Sequence, residues 1–222
     1  MRANVYGVPP NIVAKWVLEV VFPNGVGLWA DIACGNGKFT REISVIPQNG
    51  IGIDVNTATP ILPKNFIFER KKIFDWIQEN KERKFDLISS FEFVEHLEKR
   101  EAIAFIKTIK KMARFVVVST PSGFLKQDAE TDYSLFDNPW QWHRCGFSPK
   151  ELEELGFAVF ILKNAHYKPA GNDKSFDKLI ACWGEINLDS VARKIKYNSM
   201  CYNFSPIHLY RTIRDNFLRP LF

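Results

Sequence analysis

The sequence predicts an α/β domain wound on both faces of a mostly parallel sheet. Three observations carry that reading. Short apolar runs alternate with amphipathic segments at helical spacing along most of the chain. A glycine-rich turn, Gly35-Asn36-Gly37, follows directly on the first apolar run. Phe115-Val116-Val117-Val118-Ser119 is apolar at consecutive positions, as a strand covered on both faces must be.

Each element can be justified in turn. Ile12/Val13, Trp16/Val17 and Val20/Val21 recur every four positions and predict a helix over 11–22, stopped by Pro23-Asn24-Gly25. Residues 27–33 form the first strand and 38–46 the helix after it. Residues 50–55 and 65–69 are the next strands, 73–80 a short helix and 85–91 the fourth strand. Residues 99–113 are helical, with Ala102, Phe105, Ile106, Ile109 and Met112 on one face. The fifth strand, 115–119, is followed by a long aromatic stretch over 123–147 that contains Asn138-Pro139. A loop of that length in a compact domain usually serves function. Ser148, Pro149 and Glu151 then open a helix with a capping box, and Gly156 closes it. Residues 158–163 and 179–184 are the last two of seven strands, joined by a polar loop with Gly171-Asn172-Asp173. Strands that alternate with helices in this way need right-handed crossovers.

Charge and cysteine usage narrow the function classes. The net charge of +5 is unevenly placed: residues 186–222 hold six Lys/Arg against two acids, while the other 185 residues hold 24 bases against 23 acids. Residues 1–185 therefore read as a nearly neutral catalytic-size domain, and 186–222 as a basic C-terminal extension, expected to be helical. Within 1–185 there is no basic, aromatic-interleaved stripe, so nucleic acid is not the favoured substrate. No apolar run approaches the ~18 residues of a membrane span. Lys15 and Glu19 interrupt the only apolar stretch near the N-terminus, so no signal peptide is expected. The four cysteines are far apart with no CxxC pair, which argues against a zinc ribbon or disulfide scaffold and for the cytoplasm.

The chemistry starts at Asp31-Ile32-Ala33-Cys34-Gly35-Asn36-Gly37. Glycines at a strand–helix turn let a ligand approach the backbone. Asp54, at the end of the second strand, stands where a carboxylate can accept from both ribose hydroxyls of a nucleoside. An acid at the head of the turn would repel a pyrophosphate but suits an ammonium group, and Thr40 replaces the third glycine of a dinucleotide fingerprint. From Val26 to Gly184 the chain thus resembles the class I S-adenosylmethionine-dependent methyltransferases. Asp31–Gly37 looks like their first motif, Gly52-Ile53-Asp54 like their second, and Phe85–Ser90 like the strand-four motif.

The resemblance implies a Rossmann-like seven-stranded fold with the last strand antiparallel. It implies S-adenosylmethionine contacts from Asp31, Ala33, Cys34, Gly35, Gly37, Asp54, Val55, Ile73 and Phe91. Lys72 stands where such enzymes commonly carry an acid for the adenine, so the Ile73 backbone is the expected contact. Tyr6 is either an aromatic lid for the cofactor or a frayed terminus.

A second constellation, Glu92-Phe93-Val94-Glu95-His96, follows the fourth strand. A helix there would put Glu92 and His96 on one face. With His143, from Asn138-Pro139-Trp140-Gln141-Trp142-His143, these residues can bind Mg or Mn. That arrangement is similar to enzymes that methylate the 2′-oxygen of small-RNA termini. The Glu-x-x-Glu-His segment alone is similar to O-methyltransferases of ubiquinone biosynthesis. Ser119-Thr-Pro-Ser-Gly-Phe124 and the block ending at His143 are most similar to a broad bacterial and archaeal methyltransferase-domain group. His143, His96 and Glu95 are the candidate catalytic residues, with His143 as general base; the bland alternative makes His143 a loop residue ordering Trp140 and Trp142. The expected reaction is O-methylation of a small-molecule, glycan or quinone-like acceptor, with RNA ribose methylation or a catalytically silent cofactor-binding protein as alternatives. His208–Phe222 reads as a helix docked on the sheet or as a peripheral membrane contact.

Overall fold

The computed structural model describes residues 2–43, 47–55, 58–128, 138–166 and 176–203. The amphipathic stretch over 208–222, the turn at 171–173 and the last residues of the helix expected over 38–46 lie outside the described residues.

In chain order the elements are β1 (Arg2–Tyr6), α1 (Pro10–Val21), β2 (Val26–Ile32), α2 (Lys38–Ile43), β3 (Pro47–Asp54), β4 (Phe66–Arg70), α3 (Ile73–Asn80), β5 (Phe85–Phe91), α4 (Lys99–Met112), β6 (Ala113–Pro121), α5 (Pro149–Glu154), β7 (Ala158–His166), β8 (Phe176–Gly184) and α6 (Leu188–Asn203). The sheet has eight strands in the order β1-β7-β8-β6-β5-β2-β3-β4. Neighbours run parallel except β8, which is antiparallel to both β6 and β7. This is the Rossmann-like α/β fold with one antiparallel strand.

The eighth strand corrects the expected seven. Arg2–Tyr6 pairs along its whole length with Val159–Lys163 as a parallel edge strand. It is five residues long and its only buried side chain is Val5, so its apolar signal is too weak to stand out. Tyr6 ends this strand, largely exposed, rather than a frayed terminus.

Two apolar layers cover the sheet. On one face α3 and α4 contribute Trp76, Phe105, Ile106 and Ile109, and α5 contributes Leu152. On the other, α1 contributes Val13, Trp16 and Val17, with Ile43 from α2. Val191 and Ile195 of α6 join this second layer, and Lys194 pairs with Glu19 of α1 at 2.8 Å. Packing therefore continues past residue 185. The predicted capping box is present: the Glu151 N–H donates to Ser148 Oγ and the Ser148 N–H donates back to Glu151 Oε2. Lys99, 2.7 Å from the same carboxylate, holds its pKa down at about 2 and ties α5 to α4.

The chain winds outward from β2 to β4, then returns to start again at β5 on the other side of β2. That reversal lies between β2 and β5. In open α/β sheets a ligand crevice opens at the carboxyl ends of the strands flanking such a reversal. The glycine turn follows β2 and the Glu92–His96 segment follows β5, so both motifs meet at this crevice. No described helix is long and apolar enough to cross a membrane.

Candidate active site

The turn after β2 takes its shape from three left-handed residues, Ala33, Gly35 and Gly37, with φ of 60°, 56° and 76°. A side chain at position 37 would meet the Ile61 carbonyl at 2.3 Å, so the glycine there is required. Around Gly35 the equivalent space is open. The Gly35 N–H donates to Asp54 Oδ2 at 2.8 Å, which ties the turn to the end of β3. Lys71 N–H donates to the Asp54 carbonyl and brings the start of α3 to the same place. Lys72 is the extended residue preceding α3, so the backbone N–H of Ile73 opens the helix. First-turn N–H groups have no partner within their own helix. Asp54, Val55 and Ile73 thus gather on one side of the open Gly35. Phe91, at the end of β5, is buried and stacks on Phe39 of α2 with ring centroids 5.2 Å apart. Cys34 is buried, and burial with Asp31 and Asp54 nearby pushes its thiol up, so it packs rather than reacts.

Asp31 lies beneath the turn rather than on its open side. It is 1% exposed, and its two oxygens accept from Ser89 Oγ and Thr40 Oγ1. Ser89 in turn accepts from Trp29 Nε1 at 2.7 Å. Burial lifts the Asp31 pKa to about 6, against the opposing pull of these two hydroxyls. Ionising it in the fold costs about 3 kcal/mol more than in the unfolded chain. A cation bound at the turn would relieve that cost through space.

A carboxyl whose folded pKa is raised stabilises the fold below its unfolded pKa and loses that contribution as pH climbs through about 6. Asn at position 31 can accept from Ser89 and donate to Thr40, so both hydrogen bonds survive without the charge. Asp31→Asn is expected to make the cofactor-free chain more stable at pH ~8 by about 1–3 kcal/mol, and to lose that advantage near pH ~4. Urea unfolding at the two pH values measures this; a variant weaker than the parent at both would refute it.

The second cluster follows β5. The expected helix is only a 3₁₀ turn over Val94–His96, and Glu92 precedes it with φ of 51°. Glu92 therefore does not share a helical face with His96. Its Oε1 accepts from Ser119 Oγ at 2.6 Å and its Oε2 from Lys178 Nζ at 2.5 Å. Glu95, His96 and His143 do converge, with one ligand atom from each within 4.8 Å of the others. The loop before α5 is laced to this turn by backbone bonds, Arg144 and Cys145 N–H both donating to the Glu95 carbonyl oxygen.

Each histidine is oriented by a carbonyl. His96 Nδ1 lies 3.2 Å from the Trp142 oxygen and His143 Nδ1 2.7 Å from the Leu125 oxygen. A carbonyl only accepts, so Nδ1 carries the proton in both rings and each Nε2 keeps its lone pair. The rings lie 5.0 Å apart. Burial lowers the His96 pKa to about 4, with His143 adding to the effect, and burial also lowers His143. Both rings are neutral at neutral pH. Glu95 is 1% exposed, and no described group meets either carboxyl oxygen in good hydrogen-bond geometry, although the Thr120 hydroxyl lies close enough to oppose part of its shift. Burial and the neighbouring Glu92 raise its pKa well above the usual range.

Three of the four expected metal residues thus come together, while the Glu92 carboxylate is engaged by Ser119 and Lys178. Lys178 is the group the sequence reading missed. The last strand was expected to begin at residue 179, and β8 begins at Phe176, so Lys178 sits within the sheet.

A family model described as "Methyltransferase domain" matches residues 12–158. No curated protein matches the sequence significantly. Among solved structures, the chain is similar to the N-methyltransferase NodS from Bradyrhizobium japonicum WM9 in complex with S-adenosyl-L-homocysteine. The identity is 16% and the TM-score 0.48, over 79% of this chain and 88% of that one. A SAM-dependent methyltransferase from Archaeoglobus fulgidus aligns at 19% identity and TM-score 0.47, over 78% and 94% of the two chains. The small RNA methyltransferase HEN1 aligns at 14% identity and TM-score 0.49, over 78% of this chain but 25% of that one. With the family model covering most of the sheet and both motifs of the crevice, the chain belongs to the methyltransferase-domain family and is a methyltransferase.

Proposed function

We propose that the chain transfers methyl to a hydroxyl oxygen of a small-molecule, glycan or quinone-like acceptor, with His143 as proton acceptor. The observation that carries this is the pair of neutral imidazoles whose Nδ1–H groups are spent on carbonyls, leaving each Nε2 with its lone pair. The acceptor oxygen would give its proton to His143 Nε2 while it attacks the sulfonium methyl. The new O–C bond forms as the C–S bond breaks, and neutral S-adenosylhomocysteine leaves. A base held near 4 takes a proton reluctantly, so His96 orients rather than abstracts. Most of the remaining work is in-line positioning of methyl and acceptor.

The same residues fit a divalent cation. A buried carboxyl with no well-formed hydrogen bond and two imidazole lone pairs, each fixed by a carbonyl on the far nitrogen, make a donor set of the kind metals use. Two nitrogen donors favour Mn over Mg. When bound, the ion would polarise the acceptor hydroxyl and ease its deprotonation. Glu95, His96 and His143 would hold it, with Glu95 ionised on binding.

Release of S-adenosylhomocysteine with panels of hydroxyl, amine and carbon acceptors, with and without EDTA, tests this reading. Turnover with a hydroxyl acceptor is expected. Turnover with amines or carbon acceptors alone would overturn the oxygen assignment, and none with any acceptor would favour a catalytically silent protein. Turnover that survives EDTA in a metal-free sample would leave His143 as the base and remove the ion.

A further inference from the structure

We propose that the Lys178 ammonium is a built-in cation of the carboxylate–histidine cluster that keeps Glu92 out of the ligand set, so that a divalent ion there has three protein ligands. The inference rests on the metal reading above and extends it to a residue that reading does not use.

The placement follows from topology. β8 runs antiparallel between β6 and β7, so its first residues lie beside the carboxyl ends of the parallel strands, and Lys178 pairs in register with Pro121 and Leu162. This puts the side chain at the crevice although it is 86 positions from Glu92. Lys178 is 7% exposed, an uncommon place for an ammonium, and such a charge is buried only when paired. Its partner is Glu92, itself locked by Ser119 through a side-chain bond and by the Glu92 N–H to Ser119 carbonyl bond. The ion pair is neutral as a unit. Lys178 also lies close enough to Glu95 and His143 to act on both electrostatically.

Two consequences follow. An ammonium at the edge of the cluster repels any second cation, and it engages the one carboxylate that would otherwise complete a four-ligand set. One carboxylate and two imidazoles are left, an arrangement with open coordination positions. Lys178 is thus a positioning residue. It acts through Glu92, and it sets how tightly an ion is held.

The test uses the full chain, Mn²⁺ calorimetry and the visible spectrum of bound Co²⁺. Lys178→Met removes the ammonium at similar volume and frees Glu92. It is expected to tighten Mn²⁺ binding roughly tenfold or more and to change the Co²⁺ spectrum as a fourth ligand enters. Lys178→Arg keeps the charge and is expected to match the parent in both readouts. Lys178→Met combined with Glu92→Gln restores neutrality without a fourth ligand and is expected to return to the parent's affinity and spectrum. Glu95→Gln reports on the metal reading alone and is expected to lose Mn²⁺.

If Mn²⁺ binding depends on Glu95 but Lys178→Met leaves affinity and spectrum unchanged, the proposal falls and the metal reading stands. If the parent binds no Mn²⁺ but Lys178→Met does, the metal reading of the parent falls and the lysine's role stands. No binding by any variant overturns both.

Discussion

Asp54→Ala is expected to weaken S-adenosylmethionine binding by about a hundredfold or more, measured by calorimetry on the purified chain. A carboxylate at the end of β3 can accept from two ribose hydroxyls, and each charge-assisted bond contributes about 1.5–3 kcal/mol. Losing both removes about 3–6 kcal/mol, and every ~1.4 kcal/mol is a factor of ten. The same substitution also releases the Gly35 N–H, which Asp54 holds at 2.8 Å, so part of the loss would come from a loosened turn. Asp54→Asn separates the two effects. Its side-chain oxygen can still accept from Gly35, so the turn keeps its shape while the charge is gone. A loss of about tenfold is expected for it, with thermal stability near the parent's. Wild-type affinity in Asp54→Ala would remove the ribose assignment.

The contrast between the two halves of the crevice shows which physics a sequence displays. The half of the crevice proposed for the cofactor is built from residues near one another in sequence or at the ends of consecutive strands. Strand periodicity, a glycine turn and a terminal acid mark them in the sequence alone. Asp31 is the exception within that half: its position was legible, but its burial under the turn depends on Ser89 and Thr40 from two other elements.

The half proposed for the acceptor is a long-range construction. His96 and His143 meet because backbone bonds from Arg144 and Cys145 to Glu95 fold the aromatic loop onto the turn after β5. Spacing alone cannot show this, and resemblance was what linked them. Glu92 was placed on a helical face that does not form, because its left-handed backbone and its ties to Ser119 and Lys178 override helical spacing. Lys178 carried one faint signal, a lysine at the entry to the apolar run Leu179–Cys182. In an antiparallel strand that entry is the end that faces the crevice.

His143→Ala is expected to lower kcat for methyl transfer to a hydroxyl acceptor by about 10²–10⁴-fold, the range of a general base, with S-adenosylmethionine affinity unchanged. The separation of effects follows from geometry. His143 is held by the Leu125 carbonyl and the Gln127 carbonyl on the acceptor side, whereas the residues around Gly35 are tied to Asp54 and the start of α3. Truncating the ring therefore leaves the cofactor half in place. The cavity it leaves suits free imidazole, and added imidazole is expected to restore part of the rate if the ring moves a proton. Its failure to do so, with Mn²⁺ binding lost in the same variant, would make the ring a metal ligand instead. An unchanged kcat would return His143 to the loop, as a residue that only orders its neighbours. His96→Ala offers the matching contrast. With a pKa near 4 and its Nδ1–H fixed on the Trp142 carbonyl, His96 positions rather than abstracts. Its loss is expected to raise the acceptor KM more than it lowers kcat, because a ring that only orients acts on ground state and transition state alike.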